Sequence, residues 1–260
     1  MRKAERTHIL QSALTITALT VAGASQAAGT GHQADPDWPL PVHDDTRFGQ
    51  ILFDRFEFQA GDEEDLFVWE AQAWYGGDTN RIWLDTEGED IVSGGEGGEV
   101  EKLDLLYGRH VGRFWDLRAG VGYQTSYGTD DDHDRASLVV GMLGLAPYWF
   151  EIDTHLRVSE DGDTAAALEG EYDWRLTQRW ILQARGETEY AFDSAEEFGV
   201  GEGVTGLSLG LRLRYEISRK FAPYVGVTWS DRYGDTADLV EAAGRETQES
   251  AVVGGVRWWF

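Results

Sequence analysis

The chain contains no cysteine in 260 residues, so neither a disulfide framework nor a thiolate metal site is open to it. It has two methionines, and beyond Met1 only Met142 remains, which leaves almost no thioether for a soft metal ion. No stretch approaches the ~20 consecutive apolar residues that a membrane-crossing helix needs. Positive charge is scarce: 22 Lys and Arg stand against 47 Asp and Glu, a formal net charge of -25. A surface of that sign repels phosphate backbones and excludes nucleic acid as a partner.

The one early apolar stretch, Ile9 to Val21, follows Arg2, Lys3 and Arg6 and precedes the small-x-small triplet Ser25-Gln26-Ala27. Positive flank, short apolar middle and small-residue cleavage site define a secretory signal peptide over residues 1–27. Its removal takes away Arg2, Lys3, Arg6 and Glu5 and brings the mature chain to -27. Residues 28–45 are polar and carry three of the five prolines, Pro36, Pro39 and Pro41, which predicts a flexible periplasmic tail. The folded domain is expected over residues 46–260.

What the chain does have is glycine, 32 residues, together with 12% aromatics, a mixture of turn formers and strand formers. From Phe48 onward, segments of about ten residues alternate in polarity, the length of a membrane-spanning strand of ~9–11 residues. Twelve are predicted, at 48–60, 65–76, 79–88, 99–109, 114–126, 136–146, 148–159, 164–176, 179–192, 204–217, 221–232 and 249–260. In the tenth, Leu207, Leu209, Leu211, Leu213, Tyr215 and Ile217 share one face, and Arg212, Arg214 and Glu216 share the other. A period of 3.6 would scatter these charges around a helix; a period of two keeps them together.

Aromatics crowd the ends of the apolar faces, among them Tyr107, Tyr123, Trp174, Tyr190, Trp229 and Trp258, and the last strand closes on Trp258-Trp259-Phe260. Such residues form belts where a barrel meets lipid headgroups. The expected fold is therefore all-β: a transmembrane antiparallel up-and-down barrel of twelve strands, in contact with the lipid of a Gram-negative outer membrane. Tight turns are expected after strands two, four, six, eight and ten, longer connections after three, five, nine and eleven, and shorter acidic ones after one and seven. With both chain ends periplasmic, the short set falls on the periplasmic rim and the long set outside. Acidic residues gather at the outer connections, where they solvate the loops.

Several segments together resemble the copper resistance protein B family of outer-membrane proteins. They are FGQILFDRFEFQ at 48–59, AWYGGDTNRIWLDTEGE at 73–89, RFWDLRAGVGYQ at 113–124, GLAPYWFEID at 144–153, EGEYDWRLTQRWILQ at 169–183 and LGLRLRYEISRKFAPYVGVTW at 209–229. The resemblance implies an outer-membrane role in copper tolerance, by binding copper or passing it out of the periplasm. The copper ion would be cargo rather than a catalytic cofactor, and periplasmic copper-binding proteins or a multicopper oxidase are the partners so implied. Members of the family commonly carry a Met- and His-rich stretch before the barrel. Here only His32 and His43 stand between the signal peptide and the first strand, which leaves the barrel itself to handle copper.

Asp153 and His155 lie two apart on strand seven and share its polar face with Glu151; Glu169 and Glu171 line the strand after it. Brought together in a narrow lumen, they form an N,O donor set suited to Cu(II). The competing arrangement is a ladder of salt bridges, because Arg157, Arg175, Arg185, Arg212, Arg214 and Arg257 are expected on the same interior. That ladder is the commoner fate of such charges. His133, inside the acidic run DDDHD, is a second candidate cation ligand, at the outer mouth. A nucleophilic triad has no support: neither Ser208 nor Ser230 pairs with a His and an acid by sequence logic, so no catalytic activity is expected.

Overall fold

The computed structural model describes residues 46–260 apart from Glu63, Glu96 and 129–132. The signal peptide and the tail, 1–27 and 28–45, lie outside the described residues. Twelve antiparallel strands follow one another in chain order and close on themselves. They are β1 (Phe48–Gly61), β2 (Asp65–Gly76), β3 (Asn80–Ser93), β4 (Gly98–Gly112), β5 (Trp115–Tyr127) and β6 (His133–Ala146). The ring continues with β7 (Phe150–Ser159), β8 (Thr164–Arg175), β9 (Trp180–Ala191), β10 (Gly203–Tyr215), β11 (Phe221–Arg232) and β12 (Gln248–Trp259). Each strand pairs with its sequence neighbours, and β1 pairs with β12, so the sheet has no free edge. At that seam Ile51 and Phe260 exchange both backbone hydrogen bonds, at 3.1 and 3.0 Å.

The barrel is inside out by the standard of a soluble protein. Leu138 and Val252 expose 65% and 64% of their surface, whereas Glu57 and Arg118 expose 1% and 2%. Apolar side chains on the outside and ions within are stable only when the outer solvent is hydrocarbon. The closed ring pairs each strand on both sides, the other condition that lipid imposes on the backbone. Aromatic contacts concentrate at strand ends. Trp180 lies 4.8 Å from Tyr215, Phe150 lies 4.8 Å from Tyr172, and Trp258 stacks on Phe53 at 4.2 Å.

Two irregularities shape the interior. The register of β1 shifts on both sides between Phe53 and Glu57, and the bulge turns the consecutive residues Asp54 and Arg55 inward. A second shift, on β4 between Val100 and Leu103, lies beside Lys102, which shares the inward parity of Asp104 and pairs with Glu87 at 3.1 Å.

The connections after β2, β4, β6, β8 and β10 are short, as the sequence predicts. The outer rim departs from expectation after β3 and β5. There the chain continues as paired strand rather than as long loop, with Asp90 opposite Gly98 and Ser126 opposite His133. Continuing the ladder satisfies backbone groups that a loop would leave to water. Long connections remain after β9 and β11. The second contains a helix that the sequence reading did not foresee, α1 (Gly234–Ala242), which packs against β10 and buries Thr236 and Val240. Thr236 Oγ1 accepts a 3.0 Å hydrogen bond from Gly201 N, tying the two long connections together.

Candidate functional site

The lumen is where chemistry can occur, because period two sends the ionisable side chains there. At its periplasmic end one wall is apolar. Trp83, Leu106 and Val139 are buried together, with Trp74 and Leu143 against them. Trp83 shares the parity of Asp85 and Glu87 on β3, so its inward position was readable from the sequence though not singled out. The guanidinium of Arg118 sits 5.5 Å from the Trp83 ring, and that of Arg81 sits 4.6 Å from Trp74. Both are cation–π contacts that suit a desolvated arginine.

Beyond this patch the lumen is crossed by ion pairs. Arg118 on β5 joins Asp85 on β3 at 2.8 Å and Asp153 on β7 at 2.5 Å. Arg157 on β7 reaches Asp104 on β4 through two bonds, 2.9 and 3.1 Å, and also donates to Ser137 Oγ. Arg212 on β10 grips Glu57 on β1 with a planar fork, at 2.9 and 2.7 Å. Arg214 pairs with Asp173 at 2.6 Å, and Arg257 pairs with Asp54 across the seam. Arg185 on β9 has the largest set. It contacts Glu70 on β2, Glu87 on β3 at 3.5 Å, Glu169 and Glu171 on β8 at 2.9 and 3.8 Å, and Glu187 on its own strand at 3.5 Å. Arg55 shares Glu70, at 2.7 Å, and Glu87, while Lys102 shares Glu87 at 3.1 Å.

Toward the outer mouth acids outnumber bases. Glu89 stands directly opposite Glu99 in the register, a like-charge pairing that costs stability. Glu101 feels the charges of Glu87, Glu89, Glu99 and Glu187, and Glu249 acts on Glu89 from β12.

The sequence candidates are placed as follows. Asp153 stands opposite Glu169, and Glu151 opposite Glu171, so strands β7 and β8 are in the register that brings these acids side by side. Three of these carboxylates already have a cation or an amide: Asp153 has Arg118, Glu169 has Arg185, and Glu171 has Arg185 and, at 3.2 Å, Gln183. One oxygen of Asp153 and one of Asp85 are buried without a hydrogen-bond partner. His155 is partly buried, faces the same lumen and makes no hydrogen bond among the described residues; the charges acting on it include Lys102, Arg157 and Glu87. His133 is the first residue of β6 rather than a loop residue; its ring lies 5.7 Å from Phe198, and Asp134 points to the opposite face. The acids at 130–132 lie outside the described residues. Of the six arginines expected inside, five make lumen ion pairs and Arg175 is exposed at the end of β8. Among the described residues, no group of three or more His, Asp or Glu side chains is placed to hold a metal ion.

Comparison with known proteins gives consistent results. A family described as copper resistance protein B precursor (CopB) matches residues 47–260. Copper resistance protein B of Escherichia coli is 42% identical over 219 residues, covering 84% of this chain and 72% of that protein. A copper resistance protein B homolog of Pseudomonas syringae pv. tomato is 34% identical over 231 residues, covering 89% and 74%. Among solved structures, the NanC porin superposes with a TM-score of 0.51 at 13% identity, covering 81% of this chain and 99% of the porin; that likeness is one of fold.

Proposed function

The chain belongs to the copper resistance protein B family, and from that premise we propose that it acts in the outer membrane by taking up Cu(II) in its lumen and releasing it outward, without catalysing a reaction on it. Copper resistance follows from the family; the route through the lumen is the part proposed here. The observation that carries the route is the donor set of the interior. Inward-facing donors are carboxylates together with His155, a hard-to-intermediate set that suits Cu(II) over Cu(I). The chain has no cysteine, and Met142 is on the outer, lipid-facing side of β6 with 38% of its surface exposed. A soft ion therefore finds no thioether along the lumen of the described barrel.

The acids at the outer mouth add to this reading. Glu89 opposite Glu99, with Glu101, Glu187 and Glu249 close by, makes a field that attracts cations and is costly to keep for structure alone. Asp153 and His155 sit deeper, two residues apart on β7, and exchange between Arg118 and a passing ion would make Asp153 a weak, reversible ligand. Weak multi-site binding is what passage requires, since a tight site would hold the ion.

The test is survival on copper of cells carrying the double variant His155→Ala, Asp153→Asn. Copper tolerance is expected to fall while the heat-modifiable, folded barrel persists on gels. Unchanged survival with a folded barrel would reject these ligands. A role as a platform for periplasmic copper-binding proteins or a multicopper oxidase would instead show as retained tolerance in the lumen variant and capture of such a protein by the barrel. A general cation-preferring pore would show conductance that copper does not alter.

A further inference from the structure

The ion pairs of the lumen are arranged unevenly, and one of them spans nearly its full width. Going round the ring, β9 and β2 are five strands apart in a barrel of twelve, almost diametrically opposed. Arg185 on β9 and Glu70 on β2 nevertheless form a direct ion pair, and the same guanidinium reaches Glu87 on β3. Two side chains that meet from opposite walls divide the lumen and narrow the passage that remains at that level. The other arginines bridge two or three strands and brace the wall; Arg185 alone among the described ion pairs joins the β8–β9 wall to the β2–β3 wall.

We infer that Arg185 is the latch of a gate: its guanidinium, held between the two walls, closes the lumen, and its withdrawal opens a cation-selective constriction. The charge layout gives the selectivity. On the β2–β3 side Glu70 and Glu87 are matched by Arg55 and Lys102, so that wall stays balanced when Arg185 leaves it. On the β8–β9 side Glu169, Glu171 and Glu187 have Arg185 as their shared cation. Folded back on its own wall, one guanidinium faces three carboxylates, and the opened passage carries a net negative lining that favours cations. An arginine suits the closed state because its planar fork can serve carboxylates on two sides at once. The inference rests on the barrel geometry and stands or falls separately from the copper reading.

The experiment is single-channel recording of the folded mature protein in planar lipid bilayers with potassium chloride, which requires no copper. Wild type is expected to be silent or to open rarely. Arg185→Gln, which removes the charge but keeps an amide, is expected to raise the mean current several-fold with a reversal potential that shifts toward cation preference. Glu70→Gln breaks the cross-lumen pair from the other wall; it should raise the current as well, with a smaller shift in selectivity because Arg185 keeps its charge. Heat-modifiable mobility on gels establishes that each variant is folded. A steady open current from wild type would overturn the latch, and so would a folded Arg185→Gln barrel that stays as silent as wild type. Should Arg185→Gln fail to fold, Glu70→Gln and the wild-type current decide the matter by the same outcomes.

Discussion

At the scale of single residues, the interior is set by which acid meets which arginine. Glu57 is buried and held by both nitrogens of the Arg212 fork. Truncating Arg212 to Ala leaves that carboxylate in the lumen without its charge partner, and removal of one partner of a buried pair costs about 3–5 kcal/mol. Arg212→Ala should therefore lower the unfolding free energy of the barrel in lipid vesicles by that order, measured by urea titration. Combining it with Glu57→Gln should restore a large part of the loss, because no charge is then left unpaired. Additive losses in the double variant would show that the pair contributes through packing and not through charge.

Much of this scale was legible in the sequence. Period two alone sends Arg157, Arg185, Arg212 and Arg214 inward, and they are buried. The partners were not legible. Pairs such as Arg185 with Glu70 or Arg212 with Glu57 join positions 115 and 155 residues apart, and they depend on the strand stagger that closes the ring. The same limit applies to Asp153, Glu169 and Glu171. Their shared face could be read from alternation, but not the arginines that occupy them.

At the scale of elements, barrel closure depends on the β1–β12 seam, and two adjacent glycines on β12 allow a sharp comparison. Gly255 faces the lumen, where an added Cβ would stand 2.6 Å from Glu57 Cβ and 2.7 Å from Phe56 O. Gly254 faces lipid, and an added Cβ would meet no atom within 4 Å. Gly255→Val should prevent closure and abolish the heat-modifiable form, whereas Gly254→Val should fold as wild type does. Equal behaviour of the two would mean that β12 is paired in another register. Element existence was readable throughout because alternation is strong in every strand. Strand length was not: Glu89, Asp90 and His133 read as polar loop residues, yet they sit in hairpins that continue the ladder beyond the apolar band. The β1 bulge was also invisible, since strict alternation assigns Asp54 and Arg55 to opposite faces and only the register shift turns both inward. The helix α1 is only nine residues long and buries Thr236 and Val240, a pairing of one polar and one apolar side chain that gives no periodic apolar stripe to read.

At the scale of the whole molecule, the acidic balance of -25 and the apolar exterior fit together only in a membrane. The charges lie in the lumen, many of them ion-paired, or at the two rims in water. The lipid-facing band, from Leu138 and Val140 round to Val225 and Val252, is apolar. An outer-membrane barrel of the copper resistance protein B family thus encloses a lumen of carboxylates braced by arginine, with Arg185 joining opposite walls. The inversion of polarity is the premise of the lumen site, the latch and the seam alike. It is tested most directly by refolding the mature chain from urea, side by side in plain buffer and in detergent micelles or lipid vesicles, and following heat-modifiable mobility and β-sheet circular dichroism. The folded, heat-modifiable form is expected only where detergent or lipid is present, with aggregation in buffer. A monodisperse folded monomer in plain buffer would contradict the account.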